Sequence, residues 1–304
     1  MRYSLFVVLA VSLSAAPKPD WDALRRQIRQ TLHVPDPLPK LAEKMYGRFA
    51  PTKDVAADRV SFGTDYGLRV PAIVYHQAGA TITKHPAIII VNGHGGDKSS
   101  WYAYWAGILY ARAGAVVLTY DPIGEYERDW QKRSGTRTPD DMALRLAGFM
   151  ITDIMQAARY LSERTYVDPK NIAVVGFSEA SLACALDTSL HACVLVDSGD
   201  LDTSIPTLKS LEPTLIYNGR QPYFLTKPIA LWLQEKLKFP NWTKKQLEAM
   251  PETPAPEGGL LVLGTDIPAI PRSDLRAIPD VVWDADQESY VYESWRDRAK
   301  AASK

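Results

Sequence analysis

The sequence predicts an α/β domain, built on a mostly parallel, doubly wound sheet with an antiparallel N-terminal pair and an insertion over the carboxyl edge. Three observations carry this. From residue 86 onward, short apolar runs alternate with segments of helical period. The runs are continuous and rich in β-branched residues rather than strictly alternating. That suits strands covered on both faces and joined by crossover helices. One run, residues 171–177, passes directly into a serine-centred turn and a small-residue helix.

The elements follow in order. Trp21, Leu24, Ile28 and Leu32 recur at helical spacing over residues 20–33, with Asp20 as N-cap. The proline-rich stretch 34–39 (VPDPLP) ends that helix and links it to the body. Strand-like runs at 59–63 and 68–76 are joined by a turn at 64–67. The strands of the parallel part are 86–92, 115–120, 171–177, 192–197 and 259–264, with 281–283 a weaker last member. Helices are expected near 100–113, 139–164, 179–187, 222–238 and 287–302. The stretch 199–258 breaks the rhythm and is rich in Pro, Trp and Tyr. It is read as an insertion over the carboxyl edge, where such folds place their ligands.

Composition narrows the function classes. Among 304 residues, 35 Lys+Arg balance 35 Asp+Glu, so neither a nucleic-acid binder relying on a basic field nor a polybasic membrane protein is expected. At 46% hydrophobic and 23% charged the chain can bury a sizeable core. Residues 1–16 have a secretory leader's layout: Arg2, the apolar run 5–13, then Ser14, Ala15 and Ala16. The domains are therefore 1–16 as signal peptide, 17–53 as N-terminal helix and linker, and 54–304 as the main domain, with 199–258 as insertion or lid. A secreted or periplasmic location follows, with no membrane association after cleavage. Two cysteines, Cys184 and Cys193, exclude a disulfide scaffold and a four-cysteine zinc site, and are read as inert thiols. There is no H-E-x-x-H, no Cys/His cluster and no G-x-G-x-x-G, so no metal or cofactor is expected.

The chemistry centres on Gly176-Phe177-Ser178-Glu179-Ala180. A serine on a tight turn between a buried strand and a helix projects its hydroxyl above the sheet. Small neighbours at i−2 and i+2 let the backbone pass, and the helix N-terminus faces a developing oxyanion. The bland alternative makes Ser178 only a helix cap. A second element, 92–98 (NGHGGDK), follows the strand 86–92. Its glycines allow the backbone to turn amides toward substrate, so His94, Gly95 and Gly96 are candidate oxyanion or substrate-binding residues, with Glu179 N–H as the other donor. The run lacks the spacing of a phosphate-cradling loop.

Residues 54–200 resemble the α/β-hydrolase superfamily, most of all acetyl xylan esterase and dienelactone-hydrolase-like serine esterases. The pieces that carry the resemblance are GHGGDK (93–98), TYDPIGEYER (119–128), 151–178 and the serine turn. The resemblance implies an ester hydrolase acting on a small-molecule or carbohydrate ester such as acetylated xylan. It also implies an acid after a later strand, where Asp266 fits, with Asp197 and the nearby Asp200 as runners-up.

It further implies a histidine on the loop before the C-terminal helix, and there none occurs after His191. His33, His76 and His85 are read as surface residues, and His191 lies at the amino edge of the sheet. His94 alone is at the carboxyl edge, where it shapes the loop or touches substrate. An aspartate, with an ordinary pKa of about 3.9, is a poor base toward a serine hydroxyl. Glu125 is placed to hydrogen-bond substrate or to pair with Arg128, and Trp101 and Tyr102 to line a sugar-binding edge. A catalytically impaired homologue binding a carbohydrate or acyl ligand is the rival reading. The absent histidine favours it; the intact turn and glycine-rich loop favour the enzyme.

Overall fold

The structure, a computed structural model, describes residues 20–79, 83–93, 95–128, 140–177, 179–196, 214–217, 225–256, 258, 260–264 and 266–278. Helix α1 (Trp21–Leu32) starts as expected, with the Asp20 carboxylate accepting the Ala23 N–H at 2.9 Å. Three antiparallel strands follow: β1 (Lys44–Thr52), β2 (Val55–Gly63) and β3 (Arg69–Gln77). The segment 17–53, read as N-terminal helix and linker, therefore also holds a strand. The residues of β1 are largely exposed, so no buried alternation marks it.

The parallel part holds β4 (His85–Val91), β5 (Val116–Tyr120), β6 (Val167–Gly176), β7 (Ala192–Val196) and β8 (Thr214–Tyr217). Among the described residues the main sheet has eight strands in the order β1-β2-β3-β5-β4-β6-β7-β8. β3 pairs antiparallel with β5, and every later pairing is parallel. Every residue of β4 is buried, which is what a continuous apolar run predicts for a central strand.

Helices cover both faces. Helix α2 (Trp101–Arg112) and α5 (Lys227–Leu237) pack on the face carrying Ile88, Ile90, Val117 and Val175. Helices α1, α3 (Asp140–Ser162) and α4 (Glu179–Leu186) cover the face carrying Ile89, Val91, Leu118 and Val174. A side chain at Gly148 of α3 would meet the Leu32 carbonyl oxygen at 1.8 Å, so only glycine lets α1 dock there.

Two expectations are corrected, and the insertion is described only in part. The described part of the insertion 199–258 supplies β8 beside β7 and the covering helix α5. The chain after α5 lies at the amino edge, where Asn171 Nδ2 donates to Leu237 O at 3.0 Å and Asn241 N–H to Ala113 O at 3.1 Å. The run 259–264 forms β10 (Leu261–Leu263), which pairs with β9 (Glu252–Pro254) in a separate two-stranded ladder; the short α6 (Lys244–Ala249) precedes it. Cys184 of α4 and Cys193 of β7 are joined in a disulfide. The sequence marks both as inert thiols, yet burial side by side is what brings the two sulfurs together. The strand at 281–283, the helix at 287–302 and residues 1–16 lie outside the described residues.

Candidate active site

The carboxyl edge is assembled from the ends of β4, β5 and β6. Strand β6 ends at Gly176, where a Cβ would sit 2.4 Å from Val91 Cβ and 2.7 Å from Val91 O. Close approach of β6 to β4 thus requires the glycine, as read from the serine turn. After Phe177, helix α4 opens with Glu179, and the Ala180 N–H donates to Phe177 O at 2.9 Å. Ala180 is fully buried. Ser178 and the Glu179 side chain lie outside the described residues, but strand β6 and helix α4 on either side of them are in place.

The glycine-rich loop meets this turn directly: the Cβ position of Gly93 lies 3.3 Å from the Phe177 ring. Asn92 is buried, and its Nδ2 donates to Tyr120 O at 3.2 Å. Gly95 adopts φ +81° and gives its N–H to Glu125 Oε1 at 3.2 Å. The Gly96 N–H donates to Gly93 O at 3.0 Å, and a Cβ there would strike the Tyr102 hydroxyl at 2.0 Å. Neither amide is free for an oxyanion. Both amides have acceptors within this part of the structure. His94, which precedes them in the sequence, lies outside the described residues.

Behind the loop is a buried charge cluster that the sequence did not single out. Lys98, fully buried, directs Nζ to Asp121 Oδ2 and to Glu127 Oε2, the latter at 2.5 Å. Glu127 also accepts the Ala277 N–H at 2.7 Å and the Ile278 N–H at 3.2 Å. Burial raises the Asp121 pKa most; Lys98 lowers it, Glu127 and Asp97 add to the rise, and the outcome is about 7. Arg272 reaches Asp97 at 2.7 Å and stacks over the Tyr126 ring at 4.2 Å. Lys98 contacts the same ring at 4.3 Å, and Tyr126 donates its hydroxyl to Arg272 O at 2.8 Å. These contacts tie the loop 95–98, the segment 121–128 and the segment 272–278 into one unit. The only hint in the sequence was the density of charge in DPIGEYER.

Arg128 does not pair with Glu125. Its Nη1 binds Asp153 Oδ2 at 2.6 Å, and Thr64 caps the other oxygen of Asp153 at 2.6 Å. Glu125 is instead the acceptor for Gly95. Trp101 and Tyr102, at the start of α2, are half-buried and pack edge to face at 5.9 Å.

Asp266 is not at this edge. Its carboxylate pairs with Arg112 at 2.9 Å, and Arg112 also holds Asp54 at 2.9 Å, in the β1–β2 turn. Arg112 ends α2, whose start is next to the glycine-rich loop, so the 12-residue helix separates Asp266 from the serine turn by roughly 18 Å. Extended prolines at 268 and 271 return the chain to the carboxyl edge only at Arg272. Asp197 and Asp200 lie outside the described residues, directly after the carboxyl end of β7. His85 and His76 are not surface residues either. His85 is buried with Nδ1 at 2.8 Å from Gly114 O, and His76 is largely buried beside Asp58. Among the described residues no group of three His, Cys, Asp or Glu side chains is placed to hold a metal. No described helix is long and apolar enough to cross a membrane.

No family model matches the chain. Over 125 residues, 40% of its length, it is 26% identical to dipeptidyl-peptidase 5 of Schizosaccharomyces pombe, and the match spans only 17% of that protein. Among solved structures it is similar to Methylesterase BT1017, at 18% identity and a TM-score of 0.59, over 93% of this chain and 76% of that one. It is also similar to an acetyl xylan esterase from Paenibacillus sp. R4, at 18% identity and a TM-score of 0.45, over 59% of each chain. The strand order, with β6 leading through Gly176 toward α4, and the similarity to the methylesterase over 93% of this chain give it the α/β-hydrolase fold.

Proposed function

We propose that this protein is an exported serine esterase whose substrate is an acylated carbohydrate such as acetylated xylan. The observation that carries the reading is the junction of β6, Gly176-Phe177-Ser178 and α4 against the glycine-rich loop after β4. Ser178 Oγ attacks the acyl carbon, the alkoxy C–O bond breaks, and the serine proton ends on the released alcohol. Water then hydrolyses the acyl-enzyme. With the Gly95 and Gly96 amides held inside the loop, the oxyanion donors are the N–H groups of Glu179 and His94. Asp197 takes the place of the acid, because Asp266 lies at the opposite edge. Export is supported by the apolar leader and by the Cys184–Cys193 disulfide, since such bonds persist in oxidising compartments.

The test is burst release of p-nitrophenol from p-nitrophenyl acetate by the native chain and by Ser178→Ala, followed by acetate release from acetylated xylan. A burst that the variant abolishes, with a fluorophosphonate adduct at Ser178, supports the serine esterase. Equal turnover by both removes it, and acetate release confined to the small ester removes the xylan assignment.

A further inference from the structure

Helix α4 is given more of the proposed chemistry than its own length secures. It begins at Glu179, whose N–H is the proposed oxyanion donor, and ends at Leu186, eight residues in all. A helix so short is marginal by itself and depends on what it packs against. Its side chains supply little of that. Ala180, Ala183 and Ala185 are buried but bring one methyl each, and among its described side chains Leu186 is the only buried one larger than cysteine. At its start the Ala180 N–H donates to Phe177 O at 2.9 Å. Near its end Arg25 of α1 donates through Nε to Ala185 O at 2.9 Å.

The covalent attachment is the Cys184–Cys193 disulfide. Cys184 follows Glu179 by five residues, about 8 Å along the helix. Its partner is anchored far more firmly. Cys193 is fully buried in β7, opposite Val174 of β6 on one side and Thr214 of β8 on the other. The bond therefore ties α4 to the interior of the main sheet. It also encloses the short connection 187–191, which returns to the sheet where the His191 N–H donates to Ile172 O at 2.8 Å. Strand β7 runs on to Val196, one residue before the proposed acid Asp197. A single cross-link thus joins the helix that follows Ser178 to the strand that leads to Asp197.

We propose that this disulfide positions the N-terminus of α4 for the reaction, so that the chain becomes a competent esterase only once the bond has formed. The inference rests on the serine-esterase reading. The two thiols exchange with a small-molecule disulfide such as oxidised glutathione. A sulfur–sulfur bond forms in the chain, that of the oxidant breaks, and two electrons and two protons leave with the two glutathione thiols. Where thiols stay reduced, α4 lacks its covalent tie and the Glu179 N–H is no longer fixed. That donor acts on charge that develops in the transition state, so its displacement lowers kcat and leaves KM nearly unchanged.

Because the bond is buried, the reduced chain is made by unfolding in urea with dithiothreitol and diluting into the same reductant. It is compared with the oxidised chain and with Cys184→Ala/Cys193→Ala, each well below its melting temperature. Turnover of p-nitrophenyl acetate and hydrogen exchange of the 179–186 amides are read on all three. The reduced and substituted chains should keep native far-UV circular dichroism and lose about 10- to 100-fold in kcat, with KM within roughly twofold. Their α4 amides should exchange roughly tenfold faster or more. Oxidised glutathione should restore the reduced chain and leave the double variant unchanged. Val55→Ala, in the core at the start of β2, lowers the melting temperature without touching α4 and should keep the native kcat. A like fall of kcat in Val55→Ala would overturn the proposal, as would equal kcat in the oxidised and reduced chains. Loss of the whole fold on reduction would make the bond a general staple and overturn it too. An oxidised chain without turnover removes the esterase reading instead; the exchange rates then decide whether the bond holds α4, and unchanged rates overturn that.

Discussion

Replacing Asp266 with Asn distinguishes the position a triad acid would occupy from the position the chain gives this residue. If Asp266 oriented a catalytic imidazole, its loss would lower turnover by about 10⁴-fold. The structure gives a very different figure. The Asp266 side chain is 73% exposed, and its partner Arg112 keeps a second carboxylate, Asp54, at 2.9 Å. Losing one arm of such a surface pair costs about 0–1 kcal/mol. For a domain of this size that is a fall of at most a few degrees in melting temperature. The carboxylate is also a helix length away from the glycine-rich loop, so kcat/KM for p-nitrophenyl acetate should stay within roughly twofold of the native value. Asp197→Asn, assayed beside it, should lose between about 10³- and 10⁴-fold. A loss of a hundredfold or more in Asp266→Asn would refute the placement of residues 264–278 and restore the order expected from the resemblance. Near-native activity in both variants would remove the carboxylate from the mechanism altogether.

Other consequences can be checked by unfolding and turnover. Lys98→Met leaves Asp121 and Glu127 buried and facing each other, at a cost of about 3–5 kcal/mol near neutral pH in a urea titration. The Asp121 pKa is already raised to about 7, so the native state keeps a proton that the unfolded chain releases above pH ~4; that favours folding at low pH and is lost as pH rises through 7. The Lys98→Met defect should therefore shrink from pH 8 to pH 5.5, and a pH-independent defect would show that like-charge burial is not its cause. Cys193→Ser opens a loop of sequence separation 9 and should lower stability by about 3 kcal/mol, with reductant having little effect on the variant. Gly176→Ala drives a Cβ to 2.4 Å from Val91 and should cost about 1–3 kcal/mol, together with a large fall in kcat as the serine turn is displaced. A variant with native kcat would mean that the turn does not depend on the close approach of β4 and β6.

The parts of the fold legible in the sequence are those in which burial dictates residue type. The runs that became β4, β5, β6 and β7 are apolar because both faces are covered, and their bounds were read to within a few residues. The Asp20 cap was legible because capping is a local hydrogen bond. Elements whose stability comes from elsewhere were not. β1 is an exposed edge strand held by pairing with β2, and β8 lies within a polar, aromatic stretch. Residues 261–263 have the composition of a sheet strand, yet they pair with β9 rather than joining the main sheet, and composition carries no record of the partner. The disulfide escaped for a related reason: only the register of α4 against β7 brings residues nine apart within bonding reach.

The same distinction explains the mixed outcome at the site. The serine turn was legible because close backbone approach demands glycine and alanine at fixed offsets from Ser178. Acidic residues carry no such mark, since a carboxylate that holds a loop and one that moves a proton look alike in sequence. At the carboxyl edge the described carboxylates are committed to structure: Glu125 to the Gly95 amide, Asp121 and Glu127 to Lys98, Asp153 to Arg128 and Thr64, Asp97 to Arg272. Each of these bonds fixes one of the segments at the carboxyl edge, and protonating or removing any of them would loosen the loop before it served as a base. The groups left to test as acceptor of the serine proton are therefore His94, the Glu179 carboxylate and the acids that follow β7. His94→Gln is the informative substitution, because glutamine keeps the backbone N–H proposed for the oxyanion while removing the ring. A loss of turnover in that variant, with fluorophosphonate labelling of Ser178 slowed in parallel, assigns the base to the loop. Full turnover limits residue 94 to its amide and leaves Glu179 and the acids after β7.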